Sequence, residues 1–262
     1  METDEIGKNP RIVQKKLAIL FWNARSVIRL KEELVTIIST LDIFICVESW
    51  INPDLVPPDG FQYPGFLTFR RDRSHSRGGG ILMLMRKNIE YVEIEDIESP
   101  HLDIEMCGVS LTNTNPSFNI IVCYRVPGRT LSQDEWDTVL SFTNKSNNTL
   151  MAGDFNSHNK YWNCRCTDTN GNRLMNSIDK YDLFLHNYNT ATHINKSNLD
   201  LVLTTMNLCD KMDVQVHDEP WGSDHFPINI IISIEKVTYR EKSFQLSSKK
   251  TDWVNYSTLL DS

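Results

Sequence analysis

The stretch Leu150-Met151-Ala152-Gly153-Asp154-Phe155-Asn156-Ser157-His158 sets a carboxylate, an aromatic ring and a carboxamide in alternation at the end of an apolar run. In an extended backbone Asp154 and Asn156 point to one side while Phe155 points into a core. A carboxylate that takes a proton from water, beside an amide that orients that water, is what attack on a phosphate ester requires. The same Gly-Asp-Phe-Asn also suits a loop start, because Asp and Asn favour turns. Other apolar runs stop at similar groups: Asn23, Glu48, Asp200, and Asp224 beside His225. Taken singly, each reads as a turn residue at a strand end. Gathered on one rim they would form an oxygen-rich hollow suited to Mg²⁺ or Mn²⁺.

The elements that must position these groups follow from the apolar pattern. Residues 17–22 form a continuous apolar run of strand length, and 42–48 read as a second buried strand with a carboxylate at its end; such runs suit strands covered on both faces. Between them, residues 28–40 show helical periodicity. Further strands are expected at 81–85, 89–95, 102–112, 118–124, 184–186, 212–217 and 227–235. Ser132 with Glu135 is a capping box that starts a helix carrying Trp136, Val139, Leu140 and Phe142, and 171–181 reads as a second short helix. Residues 190–203 read as a hairpin with Asn195-Lys196-Ser197-Asn198 at its tip. That tip offers one lysine for a phosphate and little with which to read bases. The basic residues 70–77 read as a solvated face, with contact to a phosphate backbone as the functional alternative. Gly78-Gly79-Gly80 is followed by a strand and by no Gly-Lys-Ser/Thr, which argues against a nucleotide loop.

With 262 residues, 40% hydrophobic and 23% charged, the chain suits one large layered domain and is short for two. We divide it into a loose polar leader (1–16), a domain (17–236) and a polar linker or tail (237–262) in which Trp253, Tyr256, Leu259 and Leu260 hint at a short helix. A net charge of −7 argues against a polybasic nucleic-acid binder, but not against a nuclease, which needs a cluster of acids and only a local basic patch. No signal-peptide pattern or membrane-length apolar stretch is present. The six scattered cysteines fit buried reduced thiols of an intracellular protein.

The order of these groups resembles the endonuclease/exonuclease/phosphatase superfamily, and within it the endonuclease domain of non-LTR (LINE-type, jockey-like) retrotransposons. The resemblance is carried by Trp22-Asn23-Ala24-Arg25-Ser26, Val47-Glu48-Ser49-Trp50 and Arg77-Gly78-Gly79-Gly80-Ile81. It continues through Cys123-Tyr124-Arg125-Val126-Pro127, the 153–158 motif, Asn198-Leu199-Asp200-Leu201-Val202 and Gly222-Ser223-Asp224-His225-Phe226-Pro227-Ile228. It implies a four-layered α/β sandwich, DNase I-like, with two packed mixed sheets flanked by helices. It also implies that Glu48 binds Mg²⁺ (or Mn²⁺) with Asn23 and Asp224 close by, and that Asp154 takes the proton of the attacking water while Asn156 orients that water or the phosphate. Tyr124 would contact the phosphate, and His225, held by Asp200, would stabilise charge on its oxygens. The implied partners are DNA and, through a reverse transcriptase region that such proteins carry further on, element RNA; the implied location is nuclear. Val126 stands where the family often has a proline, a departure that touches the loop after Tyr124.

Three other readings compete. A phosphomonoesterase or phospholipid diesterase of the same fold is one, although inositol phosphatases typically place an arginine soon after the Gly-Asp-x-Asn motif, where Ser157-His158-Asn159 stand here. A non-catalytic nucleic-acid-binding relic is another, but relics tend to lose catalytic acids and none is missing. A serine hydrolase is disfavoured because Ser223, Asp224 and His225 are contiguous, and neighbours in a strand point to opposite faces. Cys164 and Cys166 with His158 lack a second pair at zinc-ligand spacing. Trp22, Trp50 and Trp162 read as packing residues.

Overall fold

The computed structural model describes residues 11–57, 60–73 and 78–238. In chain order the first strands are β1 (Arg11–Asn23), β2 (Ile43–Val47), β3 (Phe66–Arg71), β4 (Ile81–Arg86), β5 (Tyr91–Glu93), β6 (Ile104–Leu111) and β7 (Thr114–Asn115). They are followed by β8 (Phe118–Arg125), β9 (Thr149–Asp154), β10 (Leu183–Leu185), β11 (Asp200–Thr205), β12 (Met212–Val216) and β13 (Ile228–Thr238). One sheet has the order β12-β13-β1-β2-β4-β3, with β7 paired to β13; the other has the order β10-β11-β9-β8-β6-β5. Both sheets are mixed, since β1 runs parallel to β2 and β8 parallel to β9 while the other pairings are antiparallel.

The alternation of side chains along these strands builds the layers. Ile19 and Phe21 of β1, Ile120 and Val122 of β8, and Leu150 and Ala152 of β9 share one buried cluster between the sheets. Their neighbours Leu20 and Trp22 face outward to Leu34 and Ile38 of helix α1 (Glu33–Ile38). On the other side Ile121, Cys123 and Met151 face outward to Trp136, Val139 and Leu174, carried by helices α2 (Gln133–Ser141) and α3 (Thr169–Lys180). Each central strand is therefore covered on both faces, which explains its unbroken apolar sequence. The result is the four-layered α/β sandwich, two packed sheets with helices outside. Among the described residues no helix is long and apolar enough to cross a membrane, and all six cysteines are free thiols, four of them buried.

Gly153 is fixed by the closeness of β8. A Cβ there would stand 2.3 Å from the Cys123 carbonyl oxygen. Gly153→Ala should therefore lower stability by ~1–3 kcal/mol, the usual cost of overpacking, read as an earlier midpoint in a urea titration. An unchanged midpoint would show that the two strands part freely.

Several expectations are corrected. The helix expected over 28–40 is a short 3-10 turn, Ile28–Leu30, followed by the six residues of α1. Neither piece has a side-chain cap, and Val35-Thr36-Ile37-Ile38 is a β-branched run with low helix propensity. The strand β1 starts at Arg11 and β13 ends at Thr238, so the boundaries at 16 and 236 fall inside a ribbon in which Arg11 pairs with Thr238. Residues 1–10 of the expected leader and 239–262 of the expected tail lie outside the described residues. The hairpin expected over 190–203 is a tight turn in which the Thr192 and His193 amides both donate to the Ser197 carbonyl. His193 in this turn forms an isolated bridge with His225, and residues 200–203 belong instead to β11, paired with β9 and β10. Phe66–Arg71 is a strand, and Arg70 and Arg73 form ion pairs with Asp72 and Glu105 that leave their side chains 8% and 7% exposed. Arg70 and Arg73 are packed rather than solvated, while Arg71 is exposed; residues 74–77 lie outside the described residues.

Candidate active site

The inward-facing columns of the sandwich end in polar residues at one rim. The Ile19-Phe21 column ends at Asn23, the Leu150-Ala152 column at Asp154, and the Ile120-Val122 column at Tyr124. In β11, which runs the other way, the column through Val202 begins at Asp200, directly opposite Asp154 in the ladder. His225 stands just ahead of β13, whose Ile228 pairs with Phe21. Parallel strands contribute their C-terminal ends and antiparallel ones their N-terminal ends, so all five groups reach the same edge.

Two residues arrive by backbone turns. Glu48 follows Val47, and alternation alone would send it to the outer face. It adopts a left-handed φ of 51°, and Trp50 one of 55°. This uncommon conformation is held by the Ser49 and Trp50 amides, which donate to the carbonyls of Gly80 and Gly79 at 3.1 and 2.9 Å. Gly80 is itself at φ 84°, and a Cβ there would meet Ser49 Oγ at 2.7 Å. That is the role of the glycine run. Asn156 is likewise left-handed, at φ 45°. The strand thus stops at Asp154, and a turn, not an extended backbone, brings the carboxamide back beside the carboxylate. Arg125 braces this turn: its guanidinium donates to the carbonyls of Phe155 (2.7 Å) and Asn156, while Asn156 Nδ2 donates to the Arg125 carbonyl at 2.8 Å. Phe155, fully buried against Trp136, is the wedge between the two polar groups.

A connected network results. Asn23 Nδ2 donates to Glu48 Oε1 at 3.0 Å and to Asp154 Oδ2 at 2.9 Å, bridging the two sheets. Asp154 also accepts from the Asn156 backbone amide at 3.0 Å and from its Nδ2 at 3.1 Å. Trp50 Nε1 donates to Glu48 Oε2 at 3.1 Å. His225 Nδ1 lies 2.7 Å from Asp200 Oδ2, and its Nε2 lies 3.9 Å from Asp154 Oδ2 and from Asp224 Oδ1. Arg25 donates to Asp224 Oδ2 at 2.6 Å, and His193 Nε2 lies 3.5 Å from the same oxygen.

The electrostatics follow from burial and opposed charge. Burial, reinforced by Asp200 across the ladder, raises the Asp154 pKa, against the pull of His225 and the Asn23 hydrogen bond. For His225 burial works against the charged form, but Asp200, Asp154 and Asp224 outweigh it and hold the imidazole protonated beyond its ordinary range. Like charges directly opposite in a ladder repel; a cationic His225 reconciles Asp154 with Asp200. Burial, with Glu48 and Asp154 nearby, also raises the Tyr124 pKa, so its hydroxyl remains a donor toward Glu48.

All eight residues singled out in the sequence, Asn23, Glu48, Tyr124, Asp154, Asn156, Asp200, Asp224 and His225, lie on this rim. Glu48 and Asn23 join Asp154 and Tyr124, whereas Asp224 is engaged with Arg25, His193 and His225. Trp50 was read as a packing residue, although its indole donates to Glu48; Arg25, His193 and Arg125 were not singled out. Arg25 and Arg125 lie within quoted motifs; His193 carries no local signal, since only folding brings it edge-on to His225 at 4.7 Å between ring centroids. Two sets of acids and histidines cluster within 4.8 Å, Asp154, Asp200 and His225, and His193, Asp224 and His225; His225, held protonated, has no lone pair for a metal, so the carboxylate oxygens are the ligands these sets offer. The site fits a divalent cation. Asp200 Oδ1 and Asp224 Oδ1 are buried without a hydrogen-bond partner, and oxygen-rich sets of this kind suit hard dications.

Comparison with known proteins finds the same fold. A family model described as endonuclease-reverse transcriptase matches residues 118–229. Among solved structures, the endonuclease domain of TRAS1, a telomere-specific non-LTR retrotransposon, is similar with a TM-score of 0.69 at 14% identity, covering 83% of this chain and 98% of that one. A 3′-5′ exonuclease from Neisseria meningitidis is similar with a TM-score of 0.62 at 14% identity, covering 82% and 99% of the two chains. The APE2 catalytic domain of Xenopus laevis gives 0.61 at 16% identity, covering 86% and 94%. A search of curated proteins by sequence gives no match.

Proposed function

We propose, for a chain whose residues 118–229 match the endonuclease-reverse transcriptase family and whose fold is the DNase I-like sandwich, that it is a divalent-metal-dependent endonuclease. It would nick DNA and leave a 3′-hydroxyl from which a retrotransposon's reverse transcription is primed, with element RNA reached through an associated reverse transcriptase and the nucleus as the place of action. The observation that carries this reading is the single amide of Asn23 donating to both Glu48 and Asp154, with His225 Nε2 3.9 Å from the same Asp154 oxygen. A proton acceptor, a water-orienting amide and a cationic donor then face one small volume.

In this reading Asp154 takes a proton from water oriented by Asn156, the water oxygen attacks phosphorus, and the P–O3′ bond breaks, the 3′ oxygen gaining its proton from solvent. His225 and Tyr124 donate to the non-bridging oxygens, where charge accumulates. Glu48, with Asn23 and Asp224 close by, would hold Mg²⁺ or Mn²⁺, which supplies further charge neutralisation at the phosphate when bound.

Supercoiled plasmid incubated with the chain should convert to open circles only when Mg²⁺ or Mn²⁺ is added, and the nicks should be extended by a DNA polymerase. Absence of open circles with either ion would overturn the reading. Glu48→Gln should raise the Mg²⁺ concentration for half-maximal nicking, because a hard-cation site loses an anionic ligand. A titration curve superimposing on the parent's would remove Glu48 from the metal.

A further inference from the structure

Two exposed aromatic rings stand beside the site and take no part in it. Tyr161 is 59% exposed and Tyr188 48%, with ring centroids 6.3 Å apart and planes tilted by 35°. Exposed tyrosines held together are costly to leave in water, because most of each ring is apolar.

Both rings are projected by segments tied to the catalytic rim. Tyr161 lies in the short turn Lys160–Trp162, five positions after Asn156. Its backbone amide donates to Asn159 Oδ1 at 2.9 Å, and the neighbouring Trp162 is fully buried with its indole donating to the Ser157 carbonyl at 3.2 Å. Tyr188 follows Asn187, a buried residue whose Nδ2 donates to the Asp200 carbonyl at 2.7 Å and whose Oδ1 accepts from the Val202 amide at 3.0 Å. Cys164 Sγ, 3.4 Å from the Asn198 carbonyl, joins the two segments. The backbone at both tyrosines is thereby tied to the elements that carry Asp154 and Asp200. Lys160 is exposed in the first segment and Lys196 in the turn that also holds Asn198, on a chain that is acidic overall.

Aromatic faces interleaved with lysines are the pattern that holds an unpaired nucleic-acid strand: bases stack on the rings and phosphates meet the cations. A paired base keeps its faces covered by its neighbours and has none to offer. We infer that Tyr161 and Tyr188 form a stacking platform for an unpaired nucleotide next to the scissile phosphate. This rests on the nuclease reading and extends it: the preferred substrate is duplex DNA that is locally opened, and the turn carrying Lys196 works beside an aromatic surface rather than alone.

The test separates the platform from the chemistry. Binding of a short fluorescein-labelled oligothymidine is followed by anisotropy in EDTA, where no cleavage is needed. Tyr161→Ala and Tyr188→Ala should each weaken binding about fivefold or more, the scale of losing one stacked base, while Tyr161→Phe and Tyr188→Phe bind as the parent does. With Mg²⁺, the parent should nick a duplex containing a short unpaired bubble faster than a fully paired one, and the alanine variants should lose that preference. Alanine variants that melt like the parent and bind the oligonucleotide equally well would overturn the platform, as would phenylalanine variants as weak as the alanine ones. If those variants instead shift the chain from dimer to monomer in sedimentation with binding unchanged, the rings belong to a protein contact and the inference fails. A chain that binds through its tyrosines but never nicks would sink the nuclease reading and leave the platform standing.

Discussion

Asp154→Asn is expected to give a chain that folds and melts close to the parent but nicks plasmid at least ~10²-fold more slowly, the usual scale for loss of a general base. The carboxylate is 1% exposed and accepts from Asn23, from the Asn156 backbone and from the Asn156 side chain. An amide keeps one oxygen and turns the other into a donor, so one of these bonds is lost, at ~1–3 kcal/mol for the group left unpaired. Against that loss, the substitution removes a buried charge directly across the ladder from Asp200. The two changes oppose each other, and stability moves little. Catalysis has no such compensation, since a carboxamide cannot accept the water proton. Nicking within a few-fold of the parent would place the base elsewhere.

His225→Ala should cost ~10²–10³-fold in turnover, the scale for removing a fixed donor from a developing anion. It should cost stability as well, by a route separable from the chemistry. The imidazole is the described cation between Asp200, 2.7 Å from Nδ1, and Asp154, 3.9 Å from Nε2. Its removal leaves two buried carboxylates facing each other. The double variant His225→Ala with Asp200→Asn should therefore melt higher than His225→Ala alone, yet nick no faster. If the double variant regains activity, the loss in the single variant came from charge repulsion and His225 is not a donor to the phosphate. Equal melting of the two would show that Asp200 does not load the site.

Much of this arrangement could be read from the order of residues. Ile19-Phe21-Asn23 and Leu150-Ala152-Asp154 put a polar group at the end of an inward-facing column, and strand periodicity carries that information by itself. The Ser132–Glu135 capping box is equally local, and its reciprocal bonds are present. Groups positioned by distant pairing were harder to see. Glu48 depends on carbonyls supplied by Gly79 and Gly80, so its direction is not a property of the strand that precedes it. His193 meets His225 only because Thr192 accepts the Phe226 amide and Ile194 donates to the Asp224 carbonyl. Arg71 does face solvent, but Arg73 resembled part of a solvated face because its acid partner, Glu105, comes from another sheet and is met only on folding. The helix after Ile28 failed for a local reason that the periodicity concealed, its β-branched residues.

The long ribbon that pairs Arg11–Phe21 with Ile228–Thr238 has a bearing on when the chain can act. β13 lies inside its sheet, between β12 and β1, although it is the last of the described strands to be synthesised. Until it leaves the ribosome, β1 has an open edge on that side and Asn23 has no Ser223 hydroxyl donating to its carbonyl at 2.7 Å. The nascent chain thus emerges with Glu48, Asp154 and Asp200 already translated but without the imidazole that balances them. Pairings this distant in sequence form late, because the loop must close before the contact repays it. Translation and assembly of the site are separated in time by the topology alone: a ribosome still decoding the middle of this chain carries no assembled rim beside its message.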